Sequence, residues 1–107
     1  MLISSDELLE TVSKDRYIVL FMAEWCPFCA RFKPIFESYE GKVDGYKLAI
    51  VELNEDDNPL WDIFKIDAVP TVIAFNDGDI VARRDARRGI GLSKDDMELL
   101  IRDLDLD

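Results

Sequence analysis

The most informative part of the chain is residues 17–29, which read YIVLFMAEWCPFC. Its first six residues, 17–22, form an unbroken apolar run rich in β-branched and aromatic side chains. Such a run is typical of a strand buried on both faces of a sheet. Two cysteines follow shortly afterwards, separated by Pro27 and Phe28. The segment therefore predicts a central, parallel strand that leads into a Cys-x-x-Cys motif.

Helix and strand signals alternate along the rest of the chain. Strands are expected at residues 46–53, 71–75 and 80–84, and helices near residues 4–12, 27–39, 60–64 and 93–104. An Asn-Asp-Gly-Asp turn at residues 76–79 joins the last two strands as a hairpin. This order predicts an α/β fold with a central mixed sheet of four strands, or five if residues 2–3 add an edge strand, flanked by helices on both faces. The 107 residues are expected to form one domain, residues 1–107.

The composition excludes several kinds of partner and mechanism. Lys and Arg number 13 against 23 Asp and Glu, and the net charge of −10 would repel nucleic-acid backbones and anionic membranes. No apolar run is long enough to span a bilayer, and the N-terminus lacks the basic start of a secretory signal. The expectation is a cytoplasmic monomer with no nucleic acid or membrane partner. The absence of histidine excludes Ser-His-Asp and Cys-His catalysis.

The only two cysteines, Cys26 and Cys29, indicate chemistry rather than scaffolding. A bridge between them would close a very short loop, for which the chain-entropy relation gives only about 2 kcal/mol of stabilisation. A four-ligand Cys/His zinc site is impossible within one chain, because two cysteines and no histidine supply only two such ligands. A Cys-x-x-Cys pair after a strand in a βαβ context is typical of a redox motif. The alternatives are half of a metal site and a pair of helical cysteines without chemistry.

The position of the two cysteines predicts a different role for each. Cys26 comes just before a helix, and Pro27 takes the first helical position, where its missing N–H is not needed. Free N–H groups and the positive end of the helix dipole favour the thiolate of Cys26. Cys29 lies one turn further along and is expected to be more buried. Cys26 is therefore the predicted exposed nucleophile, and Cys29 the resolving thiol.

Several motifs together resemble the thioredoxin family over residues 4–104. They are Ala-Glu-Trp-Cys-Pro-Phe-Cys at residues 23–29, Pro34, Val-Pro-Thr at 69–71, the turn at 76–79 and Gly-Leu-Ser-Lys at 91–94. The resemblance implies a thioredoxin fold and an oxidoreductase that reduces or exchanges the disulfides of protein substrates. It implies recycling by a flavin-dependent reductase or by glutathione, and no bound cofactor.

The resemblance also implies where a substrate binds. Pro70 would follow a cis peptide bond and face the cysteine pair, and Val69 would offer backbone groups to an extended substrate segment. Trp25, Pro27 and Phe28 would form the surface beside the disulfide. The family usually exposes the position of Phe28, so simple packing of this ring is not expected. Without the cysteines, the Val-Pro pair would be interpreted as an ordinary trans turn before a strand.

Three departures from the family concern the chemistry. Pro27 and Phe28 replace Gly-Pro and resemble the Pro-Tyr of glutaredoxins, which suggests a less reducing couple. Leu20 stands where the family places a buried acid that helps to deprotonate the resolving thiol. Glu52 stands where many thioredoxins have a lysine, and a lone carboxyl group in an apolar strand is a candidate proton acceptor for Cys29. The alternative is a solvated glutamate at a strand end.

Two other functions are compatible with the sequence. Glutathione-linked, glutaredoxin-like activity is favoured by Pro-Phe between the cysteines and disfavoured by the tryptophan before Cys26. The second function is binding of a metal or an iron–sulfur cluster. The group would lie between two subunits, and exogenous thiols would complete its ligands.

Arg83, Arg84, Arg87 and Arg88 form a basic cluster in this acidic chain. The preferred interpretation is protection of an edge strand and a solvated surface. The alternative is attraction of an acidic partner or of a glutathione carboxylate. Trp61 is predicted to anchor the short helix in the core, together with the phenylalanine three residues later.

Overall fold

Helices and strands alternate in the predicted order along residues 1–104, the part of the chain that the computed structural model describes. The elements are α1 (Leu8–Val12), β1 (Arg16–Met22), α2 (Pro27–Glu37), β2 (Lys47–Glu52), α3 (Leu60–Ile63), β3 (Thr71–Asn76), β4 (Asp79–Asp85) and α4 (Lys94–Asp103). The longest helix among the described residues, α2, has 11 residues, too few to cross a bilayer. Residues 105–107, the end of the predicted domain, lie outside the described residues.

The four strands form one mixed sheet in the order β2-β1-β3-β4. β1 lies at its centre, parallel to β2 and antiparallel to β3, as the apolar run at residues 17–22 predicted. All of those residues are buried, so both faces of β1 are covered. The optional fifth strand is reduced to a single bridge between Leu2 and Ile50, because the chain turns at residues 5–7 toward α1.

Three phenylalanine rings join the sheet to the end of α3. The ring of Phe64 lies 5.5 Å from that of Phe21 in β1 and 5.5 Å from that of Phe75 in β3, tilted against the first and edge-on to the second. Such aromatic pairs contribute about 0.5–1.5 kcal/mol beyond their area burial. The cluster therefore fixes α3 against the two central strands, and the predicted role of Phe64 as a core anchor is confirmed.

Two arginines tie the exposed edge strand β4 to its neighbours. Arg83 donates to both carboxylate oxygens of Asp85 at 2.8 Å and to the carbonyl of Phe64 at 2.9 Å. Arg84 donates two hydrogen bonds to Asp96 in α4, at 2.8 and 3.1 Å. These two arginines therefore have a structural role, and the expected solvated surface does not describe them.

The start of α4 is held by Asp96. Its carboxylate accepts hydrogen bonds from the backbone N–H of Ser93 at 2.9 Å and from the Ser93 hydroxyl at 3.3 Å, in addition to those from Arg84. Burial alone would raise the pKa of Asp96, but the hydrogen bonds from Arg84 and Ser93 outweigh burial and hold the pKa below its usual value of 3.8. The folded state therefore favours the ionised carboxylate.

Asp96→Ala should lower the free energy of unfolding by about 1–2 kcal/mol more than Asp95→Ala. Both acids lie in the first turn of α4, but Asp95 is exposed and makes none of these hydrogen bonds. Because the folded pKa of Asp96 is lowered, its contribution is complete above the unfolded value of 3.8 and is lost as the pH falls through the lower folded value. Urea unfolding of both variants from neutral to acidic pH measures this difference. An equal loss in the two variants at neutral pH would contradict the assignment.

Candidate active site

The cysteine motif begins where β1 ends and α2 starts. Cys26 is the N-cap residue of α2, and Pro27 takes the first helical position, as predicted. The Cys26 sulfur accepts a hydrogen bond from the backbone N–H of Cys29, with 3.2 Å between Sγ and N. A helix N-terminus therefore presents a donor directly to the Cys26 sulfur, which stabilises negative charge there.

The loop after β2 holds the residues that precede Cys26. The side-chain oxygen of Asn54 accepts a hydrogen bond from the backbone N–H of Glu24 at 2.8 Å. The backbone carbonyl of Asn54 accepts another from the indole Nε1 of Trp25 at 3.2 Å. The indole is nevertheless 58% exposed. Trp25 thus presents a positioned apolar surface beside the motif.

Both cysteines are buried, although to different degrees. Cys26 keeps 6% of its surface exposed and Cys29 keeps none. The expected order of exposure is correct, but the description of Cys26 as an exposed residue is wrong. The loop that carries Val69 approaches the motif, and the Cys26 thiol donates to the Val69 carbonyl at 3.5 Å. Only a small part of Cys26 is left accessible.

Burial and the neighbouring Cys26 thiol together raise the pKa of Cys29 to about 12. A contact with the Ala23 backbone acts in the opposite direction and is outweighed. Both cysteines are free thiols in this structure. At neutral pH Cys29 is therefore protonated and shielded, and it cannot compete with Cys26 for a partner outside the protein.

A short segment before β3 lies against the cysteine motif. The peptide bond between Val69 and Pro70 is cis. The Pro70 carbonyl accepts from the backbone N–H of Ala86 at 3.1 Å, and the Thr71 hydroxyl donates to the carbonyl of Ala68 at 2.8 Å. The first bond links the segment to the residue that follows β4, where residues 86–91 continue, and the second closes the segment on itself.

A groove of about 360 Å³ opens beside Cys26. Four of the five predicted substrate-binding residues, Trp25, Pro27, Phe28 and Val69, line this groove, whereas Pro70 is buried and does not line it. The arrangement can receive an extended segment next to the Cys26 sulfur.

Sequence reasoning did not place Trp61 and Asp67 at this groove, and it gave Arg87 and Arg88 a role near the site only as the alternative interpretation of the basic cluster. All four residues line the groove. Trp61 is partly buried against the core, as predicted, but it also faces the groove, with Nε1 donating to the Glu55 carbonyl at 2.9 Å. The available signal was the position of the two arginines just before a glycine-rich loop.

The ring of Phe28 is half-buried, so the expectation that it would not pack is wrong. It lies against Gly91, where an added Cβ would come within 3.0 Å of the ring. The guanidinium of Arg31 lies 5.1 Å from the centre of the same ring and donates to the carbonyl of Ile90 at 3.1 Å. These contacts join the first turn of α2 to the loop at residues 86–91.

Two sequence-based candidates lie away from the groove. Leu20 is fully buried in β1, and its side chain has no group that can accept or release a proton. Glu52 pairs with Met22 across the β1–β2 ladder, is half-buried, and lines a shallow cavity with residues 2–5 and Asn54 rather than the groove beside Cys26. For metal binding, residues 1–104 contain no group of three or more Cys, Asp or Glu side chains placed to hold an ion.

Comparison with known proteins identifies the family. The family model of thioredoxin matches residues 2–98. A thioredoxin of Staphylococcus haemolyticus is 36% identical over 73 residues, covering 67% of this chain and 69% of the relative. A thioredoxin of Chlamydia pneumoniae is 29% identical over 82 residues, covering 77% of this chain and 79% of the relative. The crystal structure of Chlamydomonas reinhardtii thioredoxin f2 superposes with a TM-score of 0.82 at 18% identity, covering 98% of this chain and 95% of that one.

This chain belongs to the thioredoxin family. It has the thioredoxin fold and is a thiol–disulfide oxidoreductase, which acts on disulfide substrates and is recycled by a reductase. The predicted fold class and general activity are therefore confirmed. No finding favours the glutaredoxin-like alternative over this assignment.

Gly91→Ala should destabilise the protein more than Gly89→Ala. Both glycines have positive φ, +78° and +77°, so each substitution carries a backbone cost of about 1–2 kcal/mol. Only the new Cβ at position 91 meets the Phe28 ring, which adds an overpacking cost of about 1–3 kcal/mol. Thermal or urea unfolding measures the difference in stability between the two glycine variants. In a Phe28→Ala background, the cost of Gly91→Ala should be smaller, because the ring is no longer there. Equal effects of the two glycine substitutions would show that Phe28 does not lie against residue 91.

Proposed function

We propose that Cys26 is the nucleophile and Cys29 the resolving thiol of this oxidoreductase. The observation that carries the proposal is the asymmetry of the pair. Cys26 accepts a hydrogen bond at the start of α2 and lines a groove, whereas Cys29 is fully buried with its pKa raised to about 12. A substrate disulfide can therefore reach only one of the two sulfurs.

The exchange has two steps. The Cys26 thiolate attacks one sulfur of the substrate disulfide, the substrate S–S bond breaks, and the other substrate sulfur leaves as a thiolate that takes up a proton. Cys29 then loses its proton and attacks Cys26 Sγ, which breaks the mixed disulfide and releases the second substrate thiolate. The substrate gains two electrons and two protons, and the cysteine pair becomes a disulfide.

We propose that the substrates are disulfide-containing proteins that bind as an extended segment across the groove. Trp25, Pro27 and Phe28 would contact the segment on the cysteine side, and the backbone of Val69 would pair with it on the other. Pro70, which is buried behind Val69 with its carbonyl bonded to Ala86, would support that position rather than touch the segment. The exposed indole and the position of Val69 beside the Cys26 thiol support this arrangement.

We also propose the cellular setting. Both cysteines of the chain belong to the motif, which is typical of proteins in reducing compartments and supports a cytoplasmic location. The match to a solved thioredoxin over 98% of this chain supports a single domain spanning residues 1–107. We propose that this domain acts as a monomer. A flavin-dependent reductase would return two electrons to the disulfide, with glutathione as the alternative donor. The electrons of the exchange pass only through the two cysteines, so no bound cofactor is needed.

We propose Glu52 as the proton acceptor that serves Cys29. A thiol with a pKa raised to about 12 needs a base before it can attack, and Leu20 cannot supply one. Glu52 is paired with Met22, and the next residue, Ala23, contacts the Cys29 thiol through its backbone. This ladder position, beside the residue that precedes Ala23, is the observation that supports Glu52 as the acceptor.

Cys29→Ser should trap a mixed disulfide between Cys26 and a disulfide-bonded protein such as insulin, because the second step is lost. Turnover should fall at least about 100-fold. Intact mass and non-reducing electrophoresis detect the adduct. Cys26→Ser is the matched control and should form no adduct, since Cys29 is buried and protonated. An adduct of similar yield on Cys26→Ser would reverse the two roles.

Glu52→Gln should slow the second step at least about tenfold near neutral pH, because the proton of Cys29 loses its acceptor. Reduced protein mixed with 5,5′-dithiobis(2-nitrobenzoate) releases one thiolate on attack by Cys26 and a second on attack by Cys29. Stopped-flow absorbance resolves the two phases between about pH 5 and 9, a range that spans thiol titration. Glu24→Gln removes an exposed carboxylate near Cys26 and should leave the second phase unchanged. An unchanged second phase in Glu52→Gln would exclude Glu52 as the acceptor.

A further inference from the structure

The four clustered arginines separate into two pairs. Arg83 and Arg84 are occupied by Asp85, Phe64 and Asp96, as described above. The side chains of Arg87 and Arg88 are exposed and form no hydrogen bond or ion pair with any residue between 1 and 104. Their exposure fits the preferred interpretation as a solvated surface, but their place in the fold also allows the alternative, attraction of an acidic partner.

Both of the remaining arginines line the groove that contains Cys26. The turn that carries them is fixed, because the Arg87 carbonyl accepts from the backbone N–H groups of Ile90 and Gly91 at 3.0 and 2.9 Å. Phe28 and Arg31 hold the other side of this turn against α2. The backbone at residues 87 and 88 is thus held at the rim of the groove that Cys26 also lines.

The charge of the groove is opposite to that of the chain. Among the residues that line it, Asp67 is the one carboxylate against two arginines, while the whole chain carries a net charge of −10. At physiological ionic strength the Debye length is about 8 Å, so distant acidic residues are largely screened and groups in contact dominate. A bound segment therefore meets a locally positive rim on an acidic protein.

We infer that Arg87 and Arg88 select substrates whose cysteine lies next to Asp or Glu residues in an extended protein segment. The inference rests on the proposed function, since it places that segment across the groove at Cys26. Guanidinium groups bind carboxylates through paired N–H donors, so the two arginines add affinity and register to the apolar contacts with Trp25 and Phe28. They also favour acidic partners that the overall charge of the protein would otherwise repel.

Two peptides of equal length test this inference. Each carries one cysteine as a 2-thiopyridyl disulfide, flanked by Glu residues in one peptide and by Gln residues in the other. The rate constant for release of 2-thiopyridone by the reduced protein is measured for both at about 0.15 M salt, a physiological ionic strength. Wild-type protein should react faster with the Glu peptide. The Glu-to-Gln rate ratio should fall about fivefold in Arg87→Gln/Arg88→Gln, since exposed charge pairs each contribute a modest amount.

Three further variants and conditions define the outcome. Asp67→Asn should raise the ratio, because it removes the carboxylate from the groove. Lys42→Gln/Arg102→Gln changes the net charge equally but lies outside the groove, and should change the ratio less than about twofold. At about 1 M salt, where the Debye length is about 3 Å, the preference for the Glu peptide should shrink.

The possible failures are distinguishable. If the protein reduces neither peptide, the proposed function itself fails. If the protein reduces both peptides and the Glu-to-Gln rate ratio is the same in wild type and in Arg87→Gln/Arg88→Gln, this inference alone is overturned. The same holds if the control variant Lys42→Gln/Arg102→Gln lowers the ratio as much as the arginine variant does. An effect of the arginines on glutathione disulfide but not on the Glu peptide would also overturn it, in favour of a small carboxylate-bearing disulfide.

Discussion

The pairing of β1 with a strand on each side is the constraint on which the active site depends. β2 pairs with residues 17–22 of β1 and β3 pairs with residues 16–21, so the end of β1 cannot shift without breaking hydrogen bonds in the middle of the sheet. Burial on both faces in turn requires apolar side chains. The side chains of residues 18–23 are all apolar, so none of them has an ionisable group. The position of Cys26 is therefore fixed by a strand that contributes nothing to acid–base chemistry.

Because β1 supplies no reactive group, the elements around it supply the contacts to the Cys26 sulfur. The N-terminus of α2 supplies a donor to Cys26, the segment at Val69 covers it, and the loop at residues 86–91 completes the groove. Each of these contributions comes from a different part of the chain and acts on the same sulfur. The site is consequently an assembly of loops and one helix end on a rigid sheet, which is the usual way for an α/β fold to place reactive groups.

Local patterns in the sequence were enough for much of this description. Apolar periodicity and turn residues predicted the order of the elements, and Pro27 predicted the start of α2, because these signals depend only on neighbouring residues. The burial of Cys26 could not be predicted in the same way, since it depends on a residue 43 positions further along the chain. The separation of the four arginines depends equally on tertiary packing, because only the folded chain brings Asp96 to Arg84 and leaves Arg87 in the groove.

The contact of Phe28 with Gly91, together with the Arg31 hydrogen bond, holds the loop at residues 86–91 on α2 without using the side chains at positions 87 and 88. Arg31 reaches the loop only through the Ile90 carbonyl, and Phe28 requires only the missing side chain at position 91. Residues 87 and 88 take no part in either contact. Their side chains can therefore vary without loosening the loop from α2. The same fold can thus keep its thiol–disulfide exchange while its preference among protein substrates changes.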